Sequence, residues 1–527
     1  MNNIREYFTM REMIDDVAVK FSTNIAFRIK TRSGYDDITY ARLGREVRAA
    51  AGYIQSRGWG KKRIAIIGKN SYEWMLVYLS ALYAGSVIVP LDKGLLDYEI
   101  ADQIERSGAE AIFYAPEYEK MLEGKDIAKV CTSGDEFERV KKNTDFTENA
   151  VDGTKMGILL FTSGTTSKSK AVMLSERNIL ANVYGMSLWE DFRQDDVNMA
   201  ILPFHHTFGM TQIILLLTYG ICHVFCDGLR FAKCLNEYHV TILVCVPRLI
   251  DEIYSRIMKT ADSQGGTKKL NTALKITAFL KKLHIDVRRR MFKSIIDNMG
   301  GKLRLIIVGA AAATPKVQDF FNNIGILAVQ GYGLTETSPC ISAENAEHLK
   351  RGSVGKAIPN VKVKIDSPAE NGIGEIAVQG DNVMLGYYND EESTAAVMKD
   401  GYFHTGDMGR MDEDGYIFIT GRKKNVIVLA NGKNVFPEEL EMLINQSPAV
   451  KECIVMNKPH NGKDSIFAKI VYNDSLDRAD AEKEISEHIK NINEKLILYK
   501  QIKDFELTDK EMEKTTTLKI KRGAAVK

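Results

Sequence analysis

The sequence predicts an α/β protein with a large N-terminal domain of parallel sheets, a β-rich subdomain and a small α+β C-terminal domain. Three observations support this class. Short apolar runs alternate with helical segments over roughly the first two thirds of the chain. After about Pro359, alternating polar and apolar residues are typical of hairpin strands. A chain of 527 residues also exceeds what one hydrophobic core usually supports, so several domains are expected.

The first alternation of strands and helices begins at the apolar run Arg63–Ile67. Asn70 and Ser71 then offer an N-cap for a helix that ends at Gly85. A β-α-β-α-β order predicts parallel strands with helices on both faces. Its strands are predicted at Arg63–Ile67, Ser86–Asp92 and Ala109–Ala115, and its second helix at Asp97–Ser107.

The same pattern returns further along, where Thr314 and Pro315 are predicted as N-cap and first residue of a helix that ends at Asn323. Buried strands are predicted at Val197–Leu202, Val240–Val246, Leu303–Gly309 and Gly325–Gly333, and Met210–Cys226 is predicted as a helix followed by a buried strand.

The β-rich subdomain is predicted to cover about residues 359–423, with a turn at Asp412–Gly415. The α+β tail begins with an amphipathic helix after Pro437, which places Leu440, Leu443 and Ile444 on one face. Only 11 prolines occur in the chain, which indicates a tight hinge rather than a long linker between domains.

The bulk composition excludes several classes of protein. With 71 basic and 69 acidic residues the net charge is +2, which argues against a nucleic-acid partner. Seven cysteines without paired spacing indicate reduced thiols and argue against a zinc site. The first residues carry charges throughout and contain no apolar signal region, so a cytoplasmic location is expected. The most apolar stretch, Met210–Cys226, is too polar for a membrane span.

A loop rich in hydroxyl groups and glycine follows the apolar run Gly157–Phe161. Small residues with exposed N–H groups, followed by lysines, suit a phosphate chain. The loop is not a P-loop, because it lacks the second glycine and the Ser or Thr after the lysine. An ordinary turn remains the alternative. The hydroxyl and glycine residues are Thr162, Ser163, Gly164, Thr165, Thr166 and Ser167, and the lysines are Lys168 and Lys170.

A second cluster, Gln330–Pro339, lies at the carboxyl end of a predicted parallel strand, where open α/β sheets bind ligands. Tyr332 could stack on a base, Thr335 could bind a phosphate, and Glu336 offers a hard oxygen ligand for magnesium. A strand-ending turn is the alternative.

Two further candidates lie near the C-terminus. Asp407 is predicted in a glycine-flanked loop, where its carboxylate could accept both hydroxyls of a ribose. Arg422 could contact the same sugar or a phosphate. The tail from Lys514 onward is basic, and a solvated end is the simpler explanation.

In this order, the four motifs resemble those of the acyl- and aryl-adenylate-forming superfamily over nearly the whole chain. The segments "LPFHHTFGM", "VPRLIDEIY" and "GRKKNVIVLANGKNVFPEELE" look most like those of long-chain fatty acyl-CoA synthetases. The resemblance implies an AMP-forming ligase that uses ATP, Mg²⁺ and CoA. It also implies a domain of residues 1–423 and a mobile domain of residues 424–527 that turns at Lys424.

The resemblance also implies a role for each matching residue. The loop from Thr162 to Thr166, with Lys170, would hold the β- and γ-phosphates. Thr335 would contact the α-phosphate, and Glu336 would bind magnesium. Lys519 would stabilise charge in the adenylation step. The other implied contacts are adenine with Gly309, Ala310, Ala311, Gly331 and Tyr332, ribose with Asp407 and Arg422, the acyl carboxylate with His206, and pantetheine with Asn431 and Gly432.

Five positions depart from the family pattern: Ser167, Ser169, Ala171, Glu513 and Leu518. They motivate one alternative, a nucleotide- or acyl-binding regulator without turnover. The leading hypothesis is a ligase for medium- or long-chain fatty acids. Its close rivals load a separate acyl carrier protein or activate an aryl or short-chain acid. A basic amphipathic helix predicted over about Ala261–Arg290 suits peripheral contact with an anionic membrane, and a solvated helix face is the alternative.

Overall fold

The computed structural model describes residues 4–162, 169–226, 230–429, 433–460, 463–514 and 520–522. These residues form two compact units. The first contains the described residues up to Thr162 together with Lys170–Lys362 and Val378–Ala396. The second contains Ser169, Val363–Ala377 and the described residues from Val397 onward.

The strands, in chain order, are β1 (Ile25–Lys30), β2 (Tyr35–Thr39), β3 (Arg63–Ile67), β4 (Val87–Pro90), β5 (Ala111–Tyr114), β6 (Ala128–Cys131), β7 (Met156–Thr162), β8 (Lys170–Ser175), β9 (Val197–Ala200), β10 (Cys222–Phe225), β11 (Ile242–Cys245), β12 (Leu305–Val308), β13 (Leu327–Gly333), β14 (Cys340–Ala343), β15 (Lys356–Ala357), β16 (Lys362–Asp366), β17 (Gly374–Gln379), β18 (Gly386–Tyr387), β19 (Met398–Lys399), β20 (Tyr402–Met411), β21 (Ile417–Arg422), β22 (Ile427–Val428), β23 (Asn434–Val435), β24 (Val450–His460), β25 (Lys463–Tyr472) and β26 (Ile502–Thr508).

The α-helices are α1 (Met10–Lys20), α2 (Tyr40–Ser56), α3 (Tyr72–Tyr83), α4 (Asp97–Ser107), α5 (Glu119–Leu122), α6 (Gly134–Val140), α7 (Glu176–Ser187), α8 (Thr207–Leu217), α9 (Phe231–Glu237), α10 (Pro247–Ser263), α11 (Thr267–Lys282), α12 (Arg288–Met291), α13 (Lys293–Asp297), α14 (Pro315–Ile324), α15 (Glu391–Val397), α16 (Pro437–Ile444) and α17 (Arg478–Asn493).

The first unit is built on two sheets with parallel centres. One has the strand order β18-β8-β7-β4-β3-β5-β6, and the other β15-β14-β13-β12-β11-β9-β10-β1-β2. In the first sheet, β7, β4, β3, β5 and β6 pair in parallel. The alternating strands and helices predicted this pairing for β3, β4 and β5. The carboxyl ends of these strands therefore lie at one edge of the sheet.

Local sequence signals explain where several helices begin. The Ser71 hydroxyl caps α3 by accepting a hydrogen bond from the Trp74 N–H, as predicted. Thr314 precedes α14 as predicted, but its side chain makes no capping bond. Its hydroxyl instead lies 3.3 Å from Asp251, to which it donates.

The predicted basic helix over residues 261–290 is corrected by the structure. Ala261 belongs to α10, α11 covers only Thr267–Lys282, and α12 is a separate short helix. Gly265 has φ +64° between α10 and α11, a left-handed conformation that interrupts a right-handed helix. None of the helices among the described residues is long and apolar enough to cross a membrane.

The second unit contains a five-stranded sheet in the order β16-β17-β20-β19, with β21 also paired to β20. It also contains a three-stranded sheet, β24-β25-β26. Leu440 and Ile444 of α16 are buried in the same apolar core as Val455 and Ile470 of that sheet. The amphipathic pattern after Pro437 therefore predicted both the helix and its buried face.

Candidate active site

The hydroxyl-rich segment connects two antiparallel strands. Thr162, the last residue of β7, lies opposite Lys170, the first residue of β8. The Thr162 hydroxyl donates a 3.3 Å hydrogen bond to the Lys170 carbonyl, which closes the base of the hairpin. The predicted ligands Ser163, Gly164, Thr165 and Thr166 lie outside the described residues.

Tyr387 lies between the two predicted phosphate and magnesium ligands, Lys170 and Glu336. It belongs to β18, which pairs with β8. The Lys170 ammonium nitrogen lies 4.4 Å from the centroid of the Tyr387 ring, a cation–π contact. The Tyr387 hydroxyl donates a 2.9 Å hydrogen bond to Glu336 Oε1. One buried phenol thus brings together residues that are 166 positions apart in the sequence.

The segment that carries Glu336 is a tight turn. Residues Thr335–Thr337 form one turn of 3-10 helix that begins after a single residue, Leu334, beyond β13. The Glu336 carbonyl accepts a 2.8 Å hydrogen bond from the Met384 N–H, two residues before β18. Thr337 is fully buried, and its hydroxyl donates 2.6 Å to the Pro339 carbonyl. These bonds fix the backbone on both sides of the carboxylate.

The predicted adenine contacts lie at the carboxyl edge of the nine-stranded sheet. Val308 of β12 pairs in parallel with Gln330 of β13, so Gly309 and Gly331 follow at the same edge. A Cβ at Gly309 would lie 2.7 Å from the Phe208 ring, so any larger residue there requires the ring or the strand end to shift. Ala310 has φ +70°, a strained conformation for a residue with a side chain. Strained backbone of this kind clusters at binding sites.

His206 lies immediately before α8 and next to a second histidine. The rings of His205 and His206 have centroids 4.3 Å apart. His205 Nε2 lies 3.1 Å from Asp92 Oδ1, just after β4. The predicted carboxylate contact is therefore part of a polar group in the first unit.

Asp407 and Arg422 are partners in the second unit. Arg422 Nε lies 2.7 Å from Asp407 Oδ1, and the two residues face each other across β20 and β21. The expectation that Asp407 lies in a loop is wrong, because it lies inside strand β20. Gly406, with φ +71°, and a register shift at Gly409 give this strand its irregular course, and they produced the loop-like sequence.

A network of charges supports the same hairpin. The Lys423 ammonium lies 2.8 Å from Glu375, and the Gly406 N–H donates 3.0 Å to the same carboxylate. Burial would raise the pKa of Glu375, but Lys423, His404 and the Gly406 N–H together hold this pKa below its ordinary value. Glu375 therefore remains a charged support for the strand that carries Asp407.

The predicted hinge residue Lys424 lies in a single 3-10 turn, Lys423–Asn425, directly after β21. Burial, followed by the nearby positive charge of Arg422, lowers the pKa of Lys424. The remaining predicted residues, Asn431, Gly432 and Lys519, lie outside the described residues.

Sequence reasoning missed Tyr387, Phe208 and Glu375. The segment "MLGYYND" contains two adjacent tyrosines, but a strand of two residues gives no periodicity that would assign either side chain to a face. Phe208 and Glu375 lie within an ordinary helix and strand. Only the packing of the chain gives them a place near the candidate residues.

Comparisons with known proteins give the family. A family model described as AMP-binding enzyme matches residues 11–388, and a model of the AMP-binding enzyme C-terminal domain matches residues 424–527. The chain is 26% identical over 465 residues to the long-chain-fatty-acid–CoA ligase FadD15 of Mycobacterium bovis, which covers 81% of this chain and 77% of the relative.

Other relatives carry different names. The peroxisomal long chain acyl-CoA synthetase 6 of Arabidopsis thaliana is 34% identical over 322 residues, 58% of this chain and 46% of the relative. The 2-succinylbenzoate–CoA ligase of Bacillus cereus is 26% identical over 431 residues, 80% of each chain.

Solved structures share the fold. O-succinylbenzoate coenzyme A synthetase from Bacillus subtilis in complex with AMP has a TM-score of 0.76 at 22% identity, covering 97% of both chains. ATP-bound MatB from Rhodopseudomonas palustris has a TM-score of 0.76 at 23% identity, covering 98% of both. The predicted fold class is confirmed, with a large N-terminal and a small C-terminal domain.

Proposed function

Because the chain belongs to the AMP-binding enzyme family and is an adenylate-forming ligase, we propose that it activates a medium- or long-chain fatty acid with ATP and transfers the acyl group to CoA. The relatives named as long-chain acyl-CoA ligases support this acyl class. So does the "LPFHHTFGM" segment, which resembles that of long-chain synthetases. For the activation by ATP, the observation that carries the proposal is the contact chain from Lys170 through Tyr387 to Glu336.

This contact chain suits a triphosphate. In the proposal, Lys170 supplies positive charge at the base of the hairpin formed by β7 and β8, and Thr335 contacts the α-phosphate. The Glu336 carboxylate is a hard oxygen donor held by Tyr387, so it fits a magnesium ion. When bound, Mg²⁺ would neutralise negative charge on the phosphates.

The nucleoside would be held by two further groups. The edge formed by Gly309, Ala310 and Ala311, with Gly331 and Tyr332, offers small residues and one aromatic ring for adenine. Asp407, oriented by Arg422, offers carboxylate oxygens for the ribose hydroxyls. These assignments rest on the family resemblance and on the local geometry of each group.

Two reactions are proposed in sequence. The carboxylate oxygen of the acid attacks the α-phosphorus of ATP, and pyrophosphate leaves. The CoA thiol then attacks the acyl carbonyl carbon, the thiol proton is lost, and AMP leaves. Lys519 would stabilise the negative charge that accumulates in the first step. His206 would lie beside the acid, and Asn431 and Gly432 would leave room for pantetheine.

The two reactions require different groups, and we propose that residues 424–527 turn at Lys424 between them. The match of the C-terminal domain model from residue 424 supports this boundary.

The decisive experiment is a panel of carboxylic acids of increasing chain length, assayed for AMP release with ATP, magnesium and CoA. The highest kcat/KM is expected for acids of medium or long chain. Release only with aryl or short-chain acids would overturn the proposed acyl class. No release with any acid would leave a regulator without turnover. The Lys519→Ala variant should lose adenylate formation. It should keep most of its ability to transfer the acyl group from supplied acyl-AMP to CoA.

A second candidate keeps the adenylation but changes the substrates. The relative named 2-succinylbenzoate–CoA ligase matches 80% of this chain, so a different acid is a concrete alternative. The acceptor could also be the thiol of a separate acyl carrier protein. Free CoA and a purified carrier protein should be compared as acceptors with the same acyl-adenylate, and faster transfer to CoA is expected.

We also propose peripheral contact of α11 and α12 with an anionic membrane. Residues 268–290 contain eight lysines and arginines and one aspartate. Large apolar side chains are exposed beside these charges, a combination that suits a lipid surface. They are Ile276, Phe279, Leu283, Ile285 and Met291.

Vesicle sedimentation tests this contact. The protein should bind vesicles that contain phosphatidylglycerol more strongly than vesicles of phosphatidylcholine alone. Replacing Ile276 and Phe279 together by serine should reduce binding, because both side chains are exposed on α11. Tyr98→Ser, at a residue 70% exposed on α4, is the matched control. Equal binding of the double variant and the wild type would exclude this surface.

A further inference from the structure

Two histidines and one aspartate converge where strands of both large sheets end. Asp92 follows β4 of the seven-stranded sheet, whereas His205 and His206 lie between β9 of the nine-stranded sheet and α8. One potential ligand atom from each residue lies within 4.8 Å of the other two. The three residues belong to the same compact unit.

The residues around this cluster hold it in place. The Asn70 side chain donates 2.7 Å to the Leu202 carbonyl and accepts 3.1 Å from the Phe204 N–H, which fixes the segment leading to the histidines. The Gly94 N–H donates 2.8 Å to Asp92 Oδ1. The side chains of His205 and Asp92 are only 7% and 14% exposed. The donor atoms of His205 and Asp92 are therefore largely shielded from water and oriented before any ligand binds.

We propose that Asp92, His205 and His206 form a binding site for a divalent transition-metal ion of the zinc type. Two imidazole nitrogens and one carboxylate oxygen are a donor set that zinc uses, with a fourth position left open. Ligands on tetrahedral zinc lie about 3.3 Å apart, so the side chains need to move by only about 1.5 Å at most. Magnesium is a poor fit because it prefers oxygen ligands alone.

This site uses no thiolate. The spacing of the cysteines argues only against a zinc site built from paired thiolates. The sequence contains no zinc motif at this site, because Asp92 lies 113 residues before His205. Asp92 follows a strand of one sheet, and the two histidines follow a strand of the other.

The ion would have a consequence for catalysis that rests on the proposed function. If His206 lies beside the acyl carboxylate, a metal ion bound to His206 would occupy the position at which the carboxylate binds. Zinc should therefore inhibit by competing with the carboxylic acid.

Direct binding tests the site without any reference to activity. The full chain is stripped with EDTA, desalted and titrated with Co²⁺ and Zn²⁺, following the cobalt d–d absorption and the heat of zinc binding. One equivalent should bind tightly to the wild type. Asp92→Asn and His205→Gln should each weaken this binding at least about tenfold, since even outer-shell partners contribute 10- to 100-fold. His348→Gln, at a histidine stacked on Trp189 elsewhere, is the control and should bind normally.

X-ray absorption spectroscopy of the wild type with one equivalent of zinc identifies the zinc ligands directly, so this test does not depend on any variant. Two imidazole ligands and no sulfur are expected. Zinc–sulfur scattering near 2.3 Å, or unchanged affinity in folded Asp92→Asn protein, would overturn the site. If zinc binds as expected but does not compete with the acid, the metal site stands and the proposed position of the acid beside His206 is wrong.

Discussion

The hydroxyl of Tyr387 donates a 2.9 Å hydrogen bond to the carboxylate of Glu336, while its ring faces the ammonium group of Lys170 at 4.4 Å. This relationship joins Lys170, at the base of the β7–β8 hairpin, to the proposed magnesium ligand. It gives the Tyr387 ring and hydroxyl separate partners, so the two contacts can be tested separately.

Tyr387→Phe should lower kcat/KM for MgATP by roughly 10- to 100-fold. The substitution removes a hydrogen bond to a charged group, which typically contributes roughly 1.5–3 kcal/mol, and leaves the ring against Lys170. ATP–pyrophosphate exchange measures the effect. Tyr388→Phe removes the neighbouring hydroxyl and is the control. Similar losses in both variants would show that the Tyr387–Glu336 contact has no specific role.

Asp407→Asn and Arg422→Gln should each weaken ATP binding, and their effects should not add. The two side chains form one 2.7 Å ion pair, so the second substitution removes little that the first has left. A double-mutant cycle on ATP affinity measures this coupling, which is expected at roughly 0.5–3 kcal/mol. Arg410→Gln is the control, since Arg410 stacks on Phe418 of the same hairpin. Additive effects would argue against a shared ribose contact.

Lys424→Pro should slow thioester formation much more than adenylate formation. Proline fixes φ near −65°, so it restricts the rotation proposed at this residue. Lys424→Ala removes the charge but leaves the backbone free, which makes it the matched control. Single-turnover assays of the two half-reactions give the comparison. Equal losses in both half-reactions of the proline variant would reject the hinge.

Gly309→Ala should destabilise the first unit by about 1–3 kcal/mol and reduce ATP affinity. The added Cβ would lie 2.7 Å from the Phe208 ring, so either the ring or the strand end must shift. Thermal melting and nucleotide titration measure the two effects. In the control Gly60→Ala, the nearest atom to the new Cβ would lie 3.7 Å away. A normal melting temperature for Gly309→Ala would show that the ring adjusts freely.

Glu176→Gln should change how stability depends on pH. Burial raises the pKa of Glu176 to about 7, although the Met10 N–H donates 2.5 Å to its carboxylate. Because the folded state binds this proton more tightly, the stability from Glu176 is complete below about pH 4.5. It is lost as the pH rises towards 7 and then stays constant, a change on the order of 3 kcal/mol.

The variant lacks this titration, so its melting temperature relative to wild type should be higher at pH 8 than at pH 5. Glu105→Gln, at an exposed residue of α4, should follow the wild type at both pH values. A constant difference between Glu176→Gln and wild type across this range would contradict the raised pKa.

Local sequence signals predicted many strands and helices of the parallel sheets, and the order of the motifs indicated the family. Helix α4 occupies the predicted Asp97–Ser107, and α3 begins after the predicted cap Ser71. Such features depend on local periodicity, capping and turn residues, which adjacent positions encode. The order of the four motifs can also be read from the sequence without any tertiary structure.

The folded structure was needed to establish which side chains meet. Tyr387 contacts Lys170 and Glu336 because a strand of two residues is added to the edge of a sheet formed far earlier in the chain. Asp407 was expected in a loop because Gly406, which has a positive φ, and Gly409, which lies at a bulge, give the sequence the composition of a turn. The pairing partner of the strand cannot be read from the sequence. The Asp92–His205–His206 cluster arises from two different sheets. Contacts of this kind follow from long-range packing, for which a single sequence carries no local signal.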